Sequence, residues 1–136
     1  MTRRYAGSHG DLDAFMRDYH ARTTAIAGLY RGWLRDESDP VVVTEMRPFE
    51  EMIELRSIAS PEKRGRGAAS RVLGEITDLA DRHDVTMHLY AKPFPTRYTD
   101  KKLTRAQLVA WYGRHGFHRF SGGGMTRPPR KKGTRP

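Results

Sequence analysis

The residues with the most chemical content stand in one short run, Arg64-Gly65-Arg66-Gly67-Ala68-Ala69. Two glycines one residue apart let a backbone turn tightly and come close to a ligand, and two arginines bring positive charge to the same place. Phosphate is the group such a run would hold. Spacing separates it from two other phosphate loops. A P-loop needs four residues between its glycines and then Lys-Ser/Thr, and no lysine follows Gly67. A dinucleotide fingerprint needs a third glycine where Ser70 stands, and an acidic residue ending the next strand, which is missing. The plain alternative for so short a motif is a basic turn of an α/β protein.

The flanking elements decide what the run can do. Ahead of it, Ile53, Leu55, Ser57, Ile58 and Ala59 read as a partly buried strand; behind it, Val72, Leu73, Ile76, Leu79 and Ala80 recur at helical spacing. The segment is strand, glycine-rich turn, helix, so unpaired N–H groups of a helix start point at the turn with the positive end of the dipole. Val85, Met87, Leu89 and Ala91 then alternate with Thr86, His88 and Tyr90, a strand that a right-handed crossover makes parallel to the one ending at Ala59. A loop over 91–102 follows, at the carboxyl end of that strand. Thr104 to Gln107 forms a capping box, with Leu103 and Leu108 placed as a hydrophobic staple. The helix it opens runs through Val109, Trp111 and Tyr112 to a left-handed stop at Gly116; Phe117 begins a short strand, and Ser121 to Gly124 turns into a last one around Met125. Upstream, Leu12, Phe15, Met16, Tyr19, Ile26, Leu29, Tyr30, Trp33 and Leu34 fall on one helical stripe broken by glycines, which predicts two helices or one with a kink. Val41 to Met46 is a strand by β-branching, turned by Arg47-Pro48-Phe49-Glu50 into the strand from Glu51 as an antiparallel hairpin.

Arg64, Gly67 and Ala69 in the spacing Arg-x-x-Gly-x-Ala resemble the acyl-CoA pyrophosphate loop of the GNAT superfamily of N-acetyltransferases. Trp111-Tyr112-Gly113-Arg114-His115-Gly116-Phe117 is similar to the aromatic-Tyr-x-x-x-Gly-Phe ending of that family's last helix. Two motifs in the right order with a strand between them are far more specific than either, and the resemblance covers roughly 51–127. It implies an α/β (α+β) fold with a mixed central sheet, N-terminal helices, a strand, phosphate loop, helix and strand core, and a C-terminal helix with short strands. It also implies acetyl-CoA as co-substrate, seated on Arg64, Gly65, Arg66, Gly67, Ala68 and Ala69, with the pantetheine arm in a gap between the two parallel strands. Ile58 and Ala59 would line the cofactor, and a backbone N–H from Ile58 to Ser60 would hold the oxyanion. The family normally has one or two further strands before Val41; the first fifty residues show no clear place for them, so the sheet is expected to be short at that edge.

Acetyl transfer from a thioester to an amine needs a base, because an alkyl ammonium with a pKa of about 10.4 is almost wholly protonated at neutral pH. Glu54 and Glu51 are the strand carboxylates nearest the loop, and Glu54 matches the family's acidic position before it. Tyr112 occupies the position of the family's acid and would return a proton to the departing thiolate. Seven residues before it, where many relatives carry an Asn that contacts the cofactor, stands Arg105. The histidines show no metal-ligand spacing, so no metal is expected.

Composition narrows the remaining classes. One domain over residues 1–126 is expected, with a basic, proline-rich, flexible tail at 127–136. The absence of cysteine excludes disulfides, thiolate zinc sites and cysteine catalysis, and no apolar run is long enough to span a membrane, so a soluble cytoplasmic protein, monomer or homodimer, is expected. Formal charge is +9, and five of the cations lie in the tail. Two functional classes follow. One is an acetyl-CoA-dependent N-acetyltransferase of a primary amine, with a small free amine and an amine carried on nucleic acid or another polyanion both open as acceptors. The other is a non-catalytic basic nucleic-acid-binding protein whose arginines and tail contact phosphates.

Overall fold

The computed structural model describes residues 10–33, 42–59, 67–91, 104–120 and 123–130. These form a mixed α+β fold: a seven-stranded sheet in the order β1-β2-β3-β4-β5-β7-β6, antiparallel at every pairing except β4 with β5, and three helices. The chain runs α1 (Leu12–Ala21), β1 (Thr23–Ala27), β2 (Tyr30–Trp33), β3 (Val43–Phe49), β4 (Met52–Ala59), α2 (Ala68–Arg82), β5 (Met87–Tyr90), α3 (Arg105–Arg114), β6 (His118–Arg119) and β7 (Gly124–Arg127).

The amino-terminal third departs from the expected pair of helices. Only α1 is helical, started by the Asp11 carboxylate, which accepts from the Ala14 N–H at 3.0 Å. Thr23, Thr24 and Ile26 are stiff at χ1 and favour a strand. Gly28, at φ 57°, supplies the positive φ that a two-residue hairpin loop requires, and Ala27 then pairs with Tyr30. The helical stripe does not continue past α1 as a buried face: Ile26 and Leu29 are each 45% exposed. What holds the hairpin down is Thr44 of β3, whose Oγ1 is 2.9 Å from both the Tyr19 hydroxyl and the Trp33 indole N–H. The sheet is therefore not short at this edge; β1 and β2 occupy it.

The expected hairpin of β3 and β4 is present, but its turn is Glu50-Glu51, and Arg47-Pro48-Phe49 stays in the strand. Pro48 is tolerated because β2 pairs only with Val43 to Glu45, leaving no ladder on that side for Pro48 to interrupt. The α2 helix buries Val72, Leu73, Ile76, Leu79 and Ala80, the face its spacing predicts. The β5 strand is parallel to β4, as the crossover requires. Both α3 ends are as read: Thr104 and Gln107 cap each other, and Gly116 takes φ 98°. Leu103, half of the expected staple, lies outside the described residues.

One sheet face carries the core. Thr44, Met46, Ile53, Leu55, Met87, Leu89 and Met125 point to it, and the contacts of all three helices are on that side: Tyr19 of α1 to Thr44, Asp81 of α2 to Arg127, and the His115 carbonyl after α3 to Arg127. By strand alternation Arg47, Phe49, Glu54, His88 and Tyr90 point the other way.

Arg127 corrects the tail boundary. It is the last residue of β7, 3% exposed, with a bidentate ion pair to Asp81 at 2.8 and 3.1 Å and a bond from its Nε to the His115 carbonyl. The Arg130 N–H also donates to Asp81 at 2.8 Å. A buried guanidinium needs this carboxylate, so the domain continues through Arg130; residues 131–136 lie outside the described residues.

Candidate functional site

A ladder of only two residue pairs joins β4 and β5, Ile53 with Met87 and Glu54 with His88. Beyond it β4 continues five residues to Ala59 and β5 two to Tyr90 without pairing, while β4 stays bonded to β3 as far as Ala59 opposite Val43. Among the described residues, the backbone of Leu55 to Ala59 is thus laddered on one side only. Within this stretch Glu45 pairs with Ser57 and Met46 with Leu55, so Arg56 is an extra residue in β4. Such a bulge bends its strand and re-aims the groups next to it. The strand stops pairing with its parallel neighbour after Glu54, earlier than Ile58 to Ser60, where the oxyanion donor was expected; Ile58 and Ala59 lie along the open edge, and Ser60 is outside the described residues.

The open edge leads toward the start of α2. Gly67 is its N-cap in the left-handed region, φ 82° and ψ 10°, and no side chain caps the helix. Its carbonyl takes the first helical bond, from Arg71 N at 2.9 Å. No acid lies in the first turn and Ala68 and Ala69 are small, so the amide end of the dipole is uncovered by any described side chain. Arg64, Gly65 and Arg66 lie outside the described residues. The seat is described only for Gly67, Ala68 and Ala69.

The α3 helix is tied to this helix start. The Trp111 indole N–H donates to Ser70 Oγ at 2.7 Å, joining the two sequence motifs in space. Sequence reasoning passed over Ser70 except as a missing glycine; the available signal was a tryptophan N–H that must find an acceptor when buried. The next residue, Tyr112, is 7% exposed, its ring 5.6 Å from Phe117 and 5.0 Å from Trp111. Burial pushes its phenol far above the usual tyrosine range, so it stays protonated at any working pH.

Glu54 sits differently from what a free base requires. Its side chain is 12% exposed, and Oε1 accepts from Arg47 Nε at 2.8 Å with Arg56 Nη1 at 3.6 Å. It lies on the helix-free face, whereas Tyr112 belongs to the core on the helix side. The structure does not bring the two onto one face; it places them on opposite sides of the gapped sheet. Glu51 is not a strand residue: it sits in the β3–β4 turn, at the end of β4 remote from the start of α2, which removes it as a candidate base. Arg105 opens α3, and its Nη2 would lie 2.7 Å from a Cβ added at Gly123, so its guanidinium rests on the β6–β7 turn. No cluster of metal-binding side chains exists among the described residues, and no described helix is long and apolar enough to cross a membrane.

No family model matches the chain, and no curated protein matches it. Among solved structures it is similar to the one titled "Crystal structure of Anti-CRISPR protein AcrVA5", at 19% identity and a TM-score of 0.47, over 65% of this chain and 90% of that one. A likeness of that degree carries no argument about fold family or activity.

Proposed function

We propose that this protein is an acetyl-CoA-dependent N-acetyltransferase of the GNAT type, moving an acetyl group from a thioester to a primary amine. The observation that carries the reading is the opening, after two rungs, of the one parallel strand pair among the described residues, on the strand that precedes an uncapped helix start at Gly67. An extended pantetheine arm has amides that would pair with the open edge of β4, as an added strand does. The diphosphate would meet the amides of Ala68 and Ala69 at the start of α2.

The chain's groups then divide the work. The amine attacks the thioester carbonyl, forming the C–N bond; the electron pair moves onto oxygen and is held by a β4 backbone N–H near the bulge. As the oxyanion collapses the C–S bond breaks; Tyr112, which burial keeps protonated, donates a hydrogen bond to the departing thiolate, and because burial also makes it a weaker acid than a free phenol the thiol's proton is supplied in the end by solvent. Glu54, held by Arg47 and Arg56, receives the amine's proton through water from the other side of the sheet. The acceptor is a primary amine.

Incubation with acetyl-labelled acetyl-CoA and a panel of amines tests this, with free thiol and labelled amide as readouts. Transfer to at least one amine, lowered about a hundredfold by Tyr112→Phe, is the expected result. Stoichiometric acetyl-CoA binding with no transfer to any amine, free or carried on nucleic acid or protein, would contradict it.

A further inference from the structure

The two edges of the sheet are built differently. At one end β6 is two residues long and carries His118 and Arg119, short and charged as a protected edge is. At the other end stands β1, five residues long. From Thr23 to Tyr30 the chain reads Thr-Thr-Ala-Ile-Ala-Gly-Leu-Tyr, without charge or proline, in a sequence that is 30% charged. Among the described residues no strand pairs with the outer side of β1. Thr24 through Ala27 are exposed, and Ile26 and Leu29 hold large aliphatic side chains in solvent at 45% exposure each.

The ladder shows what this edge offers. The Trp33 N–H donates to the Val42 carbonyl at 2.8 Å, so Trp33, and with it Arg31 two residues earlier, turn their backbone groups toward β3 and away from β1. Their partners Thr23 and Ala25 therefore aim N–H and C=O at the open edge. The Thr23 carbonyl already accepts from Arg31 Nη2 at 3.2 Å, which leaves Ala25. Beyond it Ala25 pairs with Arg31 and Ala27 with Tyr30, so Ile26 is an extra residue, and such a bulge interrupts regular pairing. An added strand must centre on Ala25.

Outward backbone groups ask for an extended strand as partner, and the bare sequence around them asks for an uncharged one. The charge of the whole chain indicates whose strand it is. Residues 101–136 hold ten lysines and arginines and no acid, whereas the first hundred residues hold fifteen cations and sixteen acids. The described part of this basic stretch, α3, β6 and β7, gathers at the β6 end, where Arg105 rests on the β6–β7 turn and Arg127 bonds the His115 carbonyl after α3. From β6 to β1 there are six strand spacings, roughly 29 Å at about 4.8 Å each, several Debye lengths at physiological salt. Two copies of a +9 chain that meet through β1 hold their basic stretches at the far ends of the joined sheet.

We propose that two copies of this chain pair antiparallel through β1 across a twofold axis, making one sheet of twice seven strands. Ala25 exchanges both backbone hydrogen bonds with Ala25 of the second copy, and each hairpin tip, with Ile26 and Leu29, reaches the Thr23 end of the other. The blunt β6 edge stops growth, so the assembly closes at two. A contact this small beside the roughly 800 Å² per partner of a standard interface makes a dissociable dimer. The inference does not rest on the transferase reading.

Sedimentation velocity of the full chain over a micromolar concentration series tests it. The expected result is a monomer–dimer equilibrium whose dissociation constant does not rise between about 50 and about 500 mM salt, since no charged group carries the contact. Ala25→Pro deletes the outward N–H without touching the β1–β2 ladder, and Ile26→Lys charges the edge; each weakens the dimer by about tenfold or more while circular dichroism shows the fold intact. The absence of cysteine gives a second measurement that stands if either variant misfolds. Under mild oxidation Ala25→Cys forms a disulfide-linked dimer, because facing residues of a ladder lie within disulfide range, whereas His118→Cys on β6 stays monomeric. A monomer at every concentration, which would leave the edge to a strand of another protein, overturns the proposal. So does a dimer that salt dissolves, wild-type association in folded Ala25→Pro and Ile26→Lys, or equal cross-linking of the two cysteine variants.

Discussion

At the residue scale, Tyr112 and Glu54 differ in what holds them. The Tyr112 phenol is raised by desolvation alone. The sign for stability follows: above about pH 10 the unfolded chain releases a proton that the folded chain retains, so stability falls as pH climbs past that value. Replacing Tyr112 by phenylalanine should therefore flatten the alkaline fall in a pH series of urea melts while slowing transfer and leaving acetyl-CoA affinity unchanged. Tyr19 is also raised by burial, so part of the alkaline fall persists in that variant. Glu54 carries its charge between two guanidiniums, and Glu54→Gln leaves Arg47 and Arg56, at 45% and 41% exposure, to solvent. That change should cost about 1–2 kcal/mol of stability, because the carboxylate is 12% exposed while its partners reach solvent, yet lower transfer most at low pH, where the amine is protonated. A loss of rate equal at every pH would remove Glu54 from the proton path.

At the element scale, legibility followed whether a signal was local. The capping box at Thr104, the left-handed stop at Gly116 and the apolar face of α2 depend on neighbours three or four residues apart, and all three stand as read. The β1–β2 hairpin was misread because Tyr30 and Trp33 fit a helical stripe as well as a strand; what decided it was Thr44, remote in sequence, binding Tyr19 and Trp33 together. The Trp111 to Ser70 bond and the pairing of Arg127 with Asp81 are likewise tertiary and have no local signature. The second of these gives a sharp expectation. Asp81→Ala strands a buried guanidinium and should lower unfolding free energy by roughly 3–5 kcal/mol, read as a shift in urea midpoint. Arg127→Met, which removes the charge as well and keeps the bulk, should cost clearly less; equal losses would mean that packing, not the ion pair, is what Asp81 supplies. For the same reason a truncation that tests the basic tail should end after Arg130, because one ending after Thr126 removes a core residue.

At the scale of the whole molecule, the sheet separates two chemistries. Its helix side holds the core, the uncapped start of α2 and Tyr112; its other face holds Glu54, His88 and the exposed rings. The stretch of β4 left unpaired beside β5 is the part of the sheet that acetyl-CoA is proposed to use, and that use is the central claim. The most direct measurement is isothermal titration calorimetry of acetyl-CoA into the wild-type protein and into Gly67→Asp. No described atom lies within 4 Å of a Cβ at Gly67, so the aspartate is strained by φ 82° but not by a clash, and circular dichroism can establish that the variant is folded. The account predicts binding of one acetyl-CoA per chain in the wild type and a loss of at least about tenfold in the folded variant, where a carboxylate faces the diphosphate. No binding by the wild type, or unchanged affinity in a folded Gly67→Asp, would contradict it.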